Sequence, residues 1–103
     1  MISKSRDRFL ACVDRGLSHL GETIKHVVYW YLENEYDLKK DAIPDKPEEF
    51  MKALEKMYGP GAKVMERNMV REMNSEFRMK ANTFIEAVRN IKFDETSGEA
   101  PKC

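Results

Sequence analysis

Apolar residues recur at helical spacing along two long stretches of this chain, and a chain patterned in that way must pack helix against helix. In the first stretch Phe9, Val13, Leu17, Leu20, Ile24, Val27 and Tyr31 advance by steps of three and four. Such steps place them on one face of an α-helix, and Leu10, Val28 and Leu32 widen that face. In the second, Ala62, Met65, Met69, Met73, Phe77, Ala81, Phe84, Val88 and Ile91 do the same. No segment alternates apolar and polar residues convincingly, so the spacing predicts an all-α protein.

Helix breakers divide this pattern. Gly16 and Gly21 interrupt the first stripe, each costing up to about 1 kcal/mol relative to alanine inside a helix. A kink or break is therefore expected between 16 and 21, with a second helix running to about Asn34 and Ser18 as its candidate cap. In the middle, Pro47 followed by Glu48 and Glu49 is a helix start signal, with Asp45 or Lys46 as the cap. Phe50, Leu54, Met57 and Tyr58 form the apolar face, and Gly59-Pro60-Gly61 ends it. Thr83-Phe84-Ile85-Glu86 has the form of a capping box. The second stretch is then one helix of about 30 residues or two meeting near Asn82, and a bend or break there is favoured. The polar run from Phe93 onward reads as a flexible tail.

The expected architecture is a small bundle of two long, bendable amphipathic helices and one short connecting helix, in a single domain over 1–92 with a tail over 93–103. A straight helix of 30 residues is about 45 Å long. A compact domain of 100 residues has a radius of gyration of only about 13 Å. Either the long stretches bend or a second chain covers their ends, and a homodimer is the simplest second chain.

Composition narrows the function. Eighteen Lys and Arg balance 18 Asp and Glu, which argues against a chain that coats nucleic acid without specificity. The apolar run Val27–Leu32 falls far short of the roughly 18–20 residues of a membrane span. The first residues lack the apolar core of a signal peptide, and Cys12 and Cys103 form neither a C-x-x-C pair nor a metal-ligand spacing. A cytoplasmic protein with one buried and one loose thiol is expected.

No catalytic, cofactor or metal site emerges. His19 and His26 are seven apart; Glu22 could join them by spacing as a weak metal site, but without further ligands solvated or half-buried histidines are the expectation. Glu33-Asn34-Glu35-Tyr36-Asp37 begins like a calcium loop, but Leu38 stands where glycine is needed and Pro44 where a bidentate glutamate is needed. The serines lie in no nucleophile elbow. Gly59-Pro60-Gly61 lacks the Lys-Ser/Thr pair of a phosphate loop, although the helix start behind it offers free N–H groups to an anion. The chain reads as a non-enzyme.

Two rows on the second stretch point to contacts instead. Met65, Met69 and Met73, with Phe77, suit packing within the chain or pairing with another, since methionine adapts to irregular surfaces. Arg67, Arg71 and Arg78 form a second row with Asn74, and Lys63 lies one turn earlier. From 61 to 92 seven basic residues face four acidic ones, a local balance of +3 in a neutral chain. This row is the candidate contact for an acidic partner, or for a nucleic-acid backbone. A DNA-binding alternative reads 17–34 as a degenerate helix-turn-helix through Leu17, Gly21 and Val27. Leu17 stands there where alanine is usual, and Glu22 where an apolar residue is usual.

A resemblance adds a role. The blocks Leu20-Gly21-Glu22-Thr23-Ile24-Lys25, Val28-Tyr29-Trp30-Tyr31-Leu32-Glu33, Ala42-Ile43-Pro44, Lys46-Pro47-Glu48-Glu49-Phe50, Ala53-Leu54 and Tyr58-Gly59-Pro60-Gly61-Ala62 are similar to the archaeal Nitrosopumilus-type output domain family. The likeness covers about 17–80, and Tyr58 replaces the family's usual phenylalanine. It implies an archaeal, cytoplasmic, non-enzymatic module that relays signals or pairs with other proteins, with no assigned catalytic residues and no named ligand.

Overall fold

The computed structural model describes residues 4–91 and Phe93. Among them all regular structure is helical: α1 (Lys4–Ser18), α2 (Glu22–Glu35), a 3-10 segment (Lys40–Asp45), α3 (Pro47–Tyr58), α4 (Gly61–Phe77) and α5 (Phe84–Asn90). No helix of the described residues is long and apolar enough to cross a membrane.

The first stripe breaks where its glycines allow. The N–H groups of Leu20 and Gly21 close a turn on the carbonyls of Leu17 and Ser18. Gly21 then adopts φ 116°, a conformation that side-chain-bearing residues rarely reach. Ser18 is the last residue of α1 and does not cap α2; Gly21 stands at that cap and has no side chain to offer. The break also resets the helical phase. Val28 and Leu32 are the buried residues of α2, whereas Val27 and Tyr31, which a continuous stripe would bury, are exposed.

The middle helix follows its signals. Pro47 opens α3, and Gly59 closes it at φ 56°, its N–H donating to the Glu55 carbonyl. Lys46 is the residue before the helix but makes no side-chain cap; Asp45 instead pairs with Arg6 at 3.0 Å. The 3-10 segment ahead of it went unforeseen because its proline interrupts any period. It tucks Ile43 and Pro44 into the core.

The second stripe is two helices. Arg78 takes the left-handed conformation that ends α4. In the linker the Asn74 amide grips the Ala81 backbone twice, accepting from its N–H at 2.8 Å and donating to its carbonyl at 3.0 Å. The Thr83 cap forms as expected, its Oγ1 accepting the Glu86 N–H at 3.1 Å, but the return bond of the capping box falls one residue early: Glu86 Oε1 accepts the N–H of Asn82 at 3.0 Å, not that of Thr83. Both stretches therefore break into shorter helices, and helix length no longer calls for a second chain.

The core lies where α1 crosses α4. A Cβ added to Gly16 would stand 2.6 Å from the Met69 Cα, so only glycine lets the two backbones approach this closely. Met65, Met69 and Met73 are buried there, which assigns the methionine row to packing inside one copy and removes it as a pairing surface. Each such side chain contributes about 1.5–3 kcal/mol by leaving water. Phe84 joins Phe9 and Phe50, with centroids 5.7 and 5.1 Å away. Phe93 meets Phe9 edge-on at 5.5 Å, so the packed domain extends one residue into the expected tail; the rest of that tail lies outside the described residues.

Candidate functional site

Helix α4 buries its methionines on one side and carries a polar flank on each edge. On the flank toward α1, Glu72 and Glu76 are both engaged. Arg8 reaches Glu76 at 2.7 Å and lies 4.6 Å over the ring of half-buried Phe77. Arg15 reaches Glu72 at 2.9 Å and Glu76 at 3.6 Å, and His19 contacts Glu72 at 3.2 Å. The Arg15 hydrogen bond, with that of His19 behind it, holds the Glu72 carboxyl below its ordinary range.

The opposite flank carries Lys63, Arg67 and Arg71 on three successive turns, about 6 Å apart along the axis. They line a cleft of about 480 Å³ with Glu66, Val70 and Asn74 of α4, and with Ala81, Asn82 and Thr83 of the linker. The Glu66 carboxylate shares the cleft but forms no ion pair with them; its Oε2 accepts the N–H of Phe84 at 2.9 Å, at the start of α5. Among the described residues the side chains of Lys63, Arg67 and Arg71 have no hydrogen-bond or ion-pair partner, and all three are exposed. The far wall is held in place by the Asn74 grip on Ala81 and by the Thr83 cap.

Three of the four basic residues singled out in the sequence thus meet at one cleft. Arg78 does not join them; its left-handed backbone lies past the end of α4 and outside the cleft lining. The linker wall had no local signal, because Asn74 and Ala81 are seven residues apart across a helix break. A second group also escaped sequence reading: Tyr29 of α2 donates to Asp14 of α1, and Lys40 reaches the same carboxylate at 2.8 Å. Burial pushes the Asp14 carboxyl up, but the bonds from Lys40 and Tyr29 outweigh it and leave it below its ordinary value. The group pins three elements together.

The other candidates resolve locally. Among the described residues no group of His, Cys, Asp and Glu could hold a metal ion. His19 belongs to the α1–α4 seam, and His26 is exposed on α2. Cys12 is buried, and burial raises its thiol to about 11; Cys103 lies outside the described residues. Around 17–34 the chain does run helix, turn, helix. Yet Val27, which should pack in a DNA-reading unit, is exposed. Lys25, the one Lys or Arg of α2, is already paired with Glu22, and Glu33 and Glu35 face solvent. A helix so charged repels a phosphate backbone.

No family model matches the chain, and no curated protein matches it; the output-domain resemblance rests on its quoted blocks alone. Among solved structures it is similar to the crystal structure of PH0832 from Pyrococcus horikoshii OT3, with a TM-score of 0.76 at 21% identity. The match covers 84% of this chain and 92% of that one. At that identity the likeness establishes the fold: a protein of an archaeon has the same helical arrangement.

Proposed function

We propose that this chain is a non-enzymatic, intracellular interaction module that takes an acidic segment of a partner protein along Lys63, Arg67 and Arg71, and that it works as a homodimer in a regulatory output role. The observation that carries the reading is the row of three cations on one helix edge, unpartnered among the described residues and set over a cleft. Like charges at i, i+4 destabilise a helix by a few tenths of a kcal/mol per pair, so the row is costly until an anion meets it. Arginine forks suit carboxylates, which they bind through two parallel hydrogen bonds. The pinned linker wall supports the same reading, because a site already held in shape loses less entropy on binding. The resemblance to output domains supports the regulatory role.

The test is fluorescence anisotropy with a labelled glutamate-rich peptide, at low and at physiological salt. Saturable binding, weakened tenfold or more by Arg67→Glu with Arg71→Glu, is expected. No binding at low salt would sink the reading. Duplex DNA run in parallel separates the rival: binding of the duplex but not of the peptide, falling steeply with salt, would favour a nucleic-acid regulator.

A further inference from the structure

The phase reset at Gly21 leaves one face of α2 without a neighbour among the described residues. Along it Thr23, Val27, Trp30 and Asn34 advance by four, three and four, the spacing of an a/d seam over two heptads. All four are exposed. Trp30 is 56% and Val27 38% accessible, and the two stand as an apolar centre between polar Thr23 and Asn34. Asn34 is tied back to the Trp30 carbonyl at 2.8 Å. The Trp30 and Tyr31 rings meet edge to face, 5.2 Å between centroids. Tyr31 also borders a hollow of about 300 Å³ with Met57 and Tyr58 at the end of α3.

The two flanks of this seam differ. One carries Ile24 and Tyr31; the other carries His26 and Glu33. We infer that the face is the homodimer surface, with α2 of one copy antiparallel to α2 of the other. In that arrangement Val27 of each copy packs against Trp30 of the other, and each flank meets its own counterpart. Ile24 then faces Tyr31 across the axis, and His26 faces Glu33, each pair occurring twice. A parallel arrangement would set the aromatic flank against the charged one and lose both matches. The inference rests on the homodimer part of the proposed function and says where that contact lies. A 14-residue helix is about 21 Å long, so the paired area falls below the roughly 1,600 Å² of a standard interface, and the dimer is weak and reversible.

Sedimentation equilibrium of the full chain from micromolar to millimolar concentration tests this. The expected result is a monomer–dimer equilibrium above the 12.1 kDa monomer. Trp30 is the chain's one tryptophan, so its emission should shift to shorter wavelength as the dimer fills. Trp30→Ala should weaken dimerisation at least tenfold with an unchanged circular dichroism spectrum. Glu33→Lys should weaken it severalfold, and His26→Glu added to Glu33→Lys should restore it. A chain monomeric throughout overturns both the homodimer and this surface. A dimer that Trp30→Ala leaves intact overturns the surface alone, and a charge swap that fails to restore pairing overturns the antiparallel arrangement. None of these outcomes bears on peptide binding at the basic cleft.

Discussion

The two edges of α4 carry charges of opposite sign and put them to opposite uses. Toward α1, Glu72 and Glu76 are met by Arg8, Arg15 and His19 from the facing helix. Toward the α5 linker, Lys63, Arg67 and Arg71 stand over open space. The charges of the first edge cross the core seam and orient two helices that already touch. Those of the second edge meet no opposite charge among the described residues and orient no neighbouring helix. The difference teaches that a charge count along a helix says little until the partner surface of each edge is known.

The largest break of this comparison is steric. Gly16→Val should force α1 away from Met69 and cost about 3 kcal/mol, at the upper end of overpacking penalties. It should also loosen every ion pair of the inner edge. Urea unfolding measures it, and a loss below about 1 kcal/mol would mean the helices do not touch as described. Next, Arg15→Glu would bring three carboxylates together on the inner edge and should cost about 1 kcal/mol, since such pairs are partly exposed. The same reversal at Arg71 should cost nothing.

Acid titration sharpens the contrast. The Glu72 carboxyl lies below its ordinary value of 4.5 because Arg15 and then His19 bond to its charged form. Its contribution is therefore present above about pH 4.5 and is lost as pH falls through the lower, folded value, because unfolding then takes up a proton. Glu72→Gln should make stability less steep with pH below that point. Asp14, also lowered, keeps part of the slope. Thermal melts across pH 3–6 read both, and an unchanged slope would remove Glu72 from the seam's energetics. The smallest stability effect is expected of Arg67→Glu with Arg71→Glu. It should fall within about 0.5 kcal/mol of the parent, as surface substitutions do, while peptide binding is lost. Unfolding of that variant would make the row structural.

Much of the fold was legible in the sequence because its signals are local. Pro47 and Gly59 mark α3, and Thr83 with Glu86 marks the start of α5, through bonds made within four residues. The methionine row was legible as apolar but ambiguous in use; only the approach of α1 at Gly16 shows that the row is enclosed. The candidate site was half legible. Three of its cations lie on one helix and follow from spacing, whereas its wall depends on Asn74 gripping Ala81 across a break, and Arg78 leaves the row because the helix ends before it. The exposed aromatic face of α2 could not be read, since the break expected between 16 and 21 did not say by how much Gly21 would rotate the stripe beyond it.

From the sequence alone came the helical class, the places where helices start and stop, and the unequal charge of the second stretch. These rest on backbone propensity, capping and periodicity, which act over a few residues. Tertiary structure decided which face of each helix is covered, which charges find partners and which remain free for one. Those outcomes depend on contacts between residues dozens of positions apart, such as Arg8 with Glu76 or Gly16 with Met69, and no local pattern carries them.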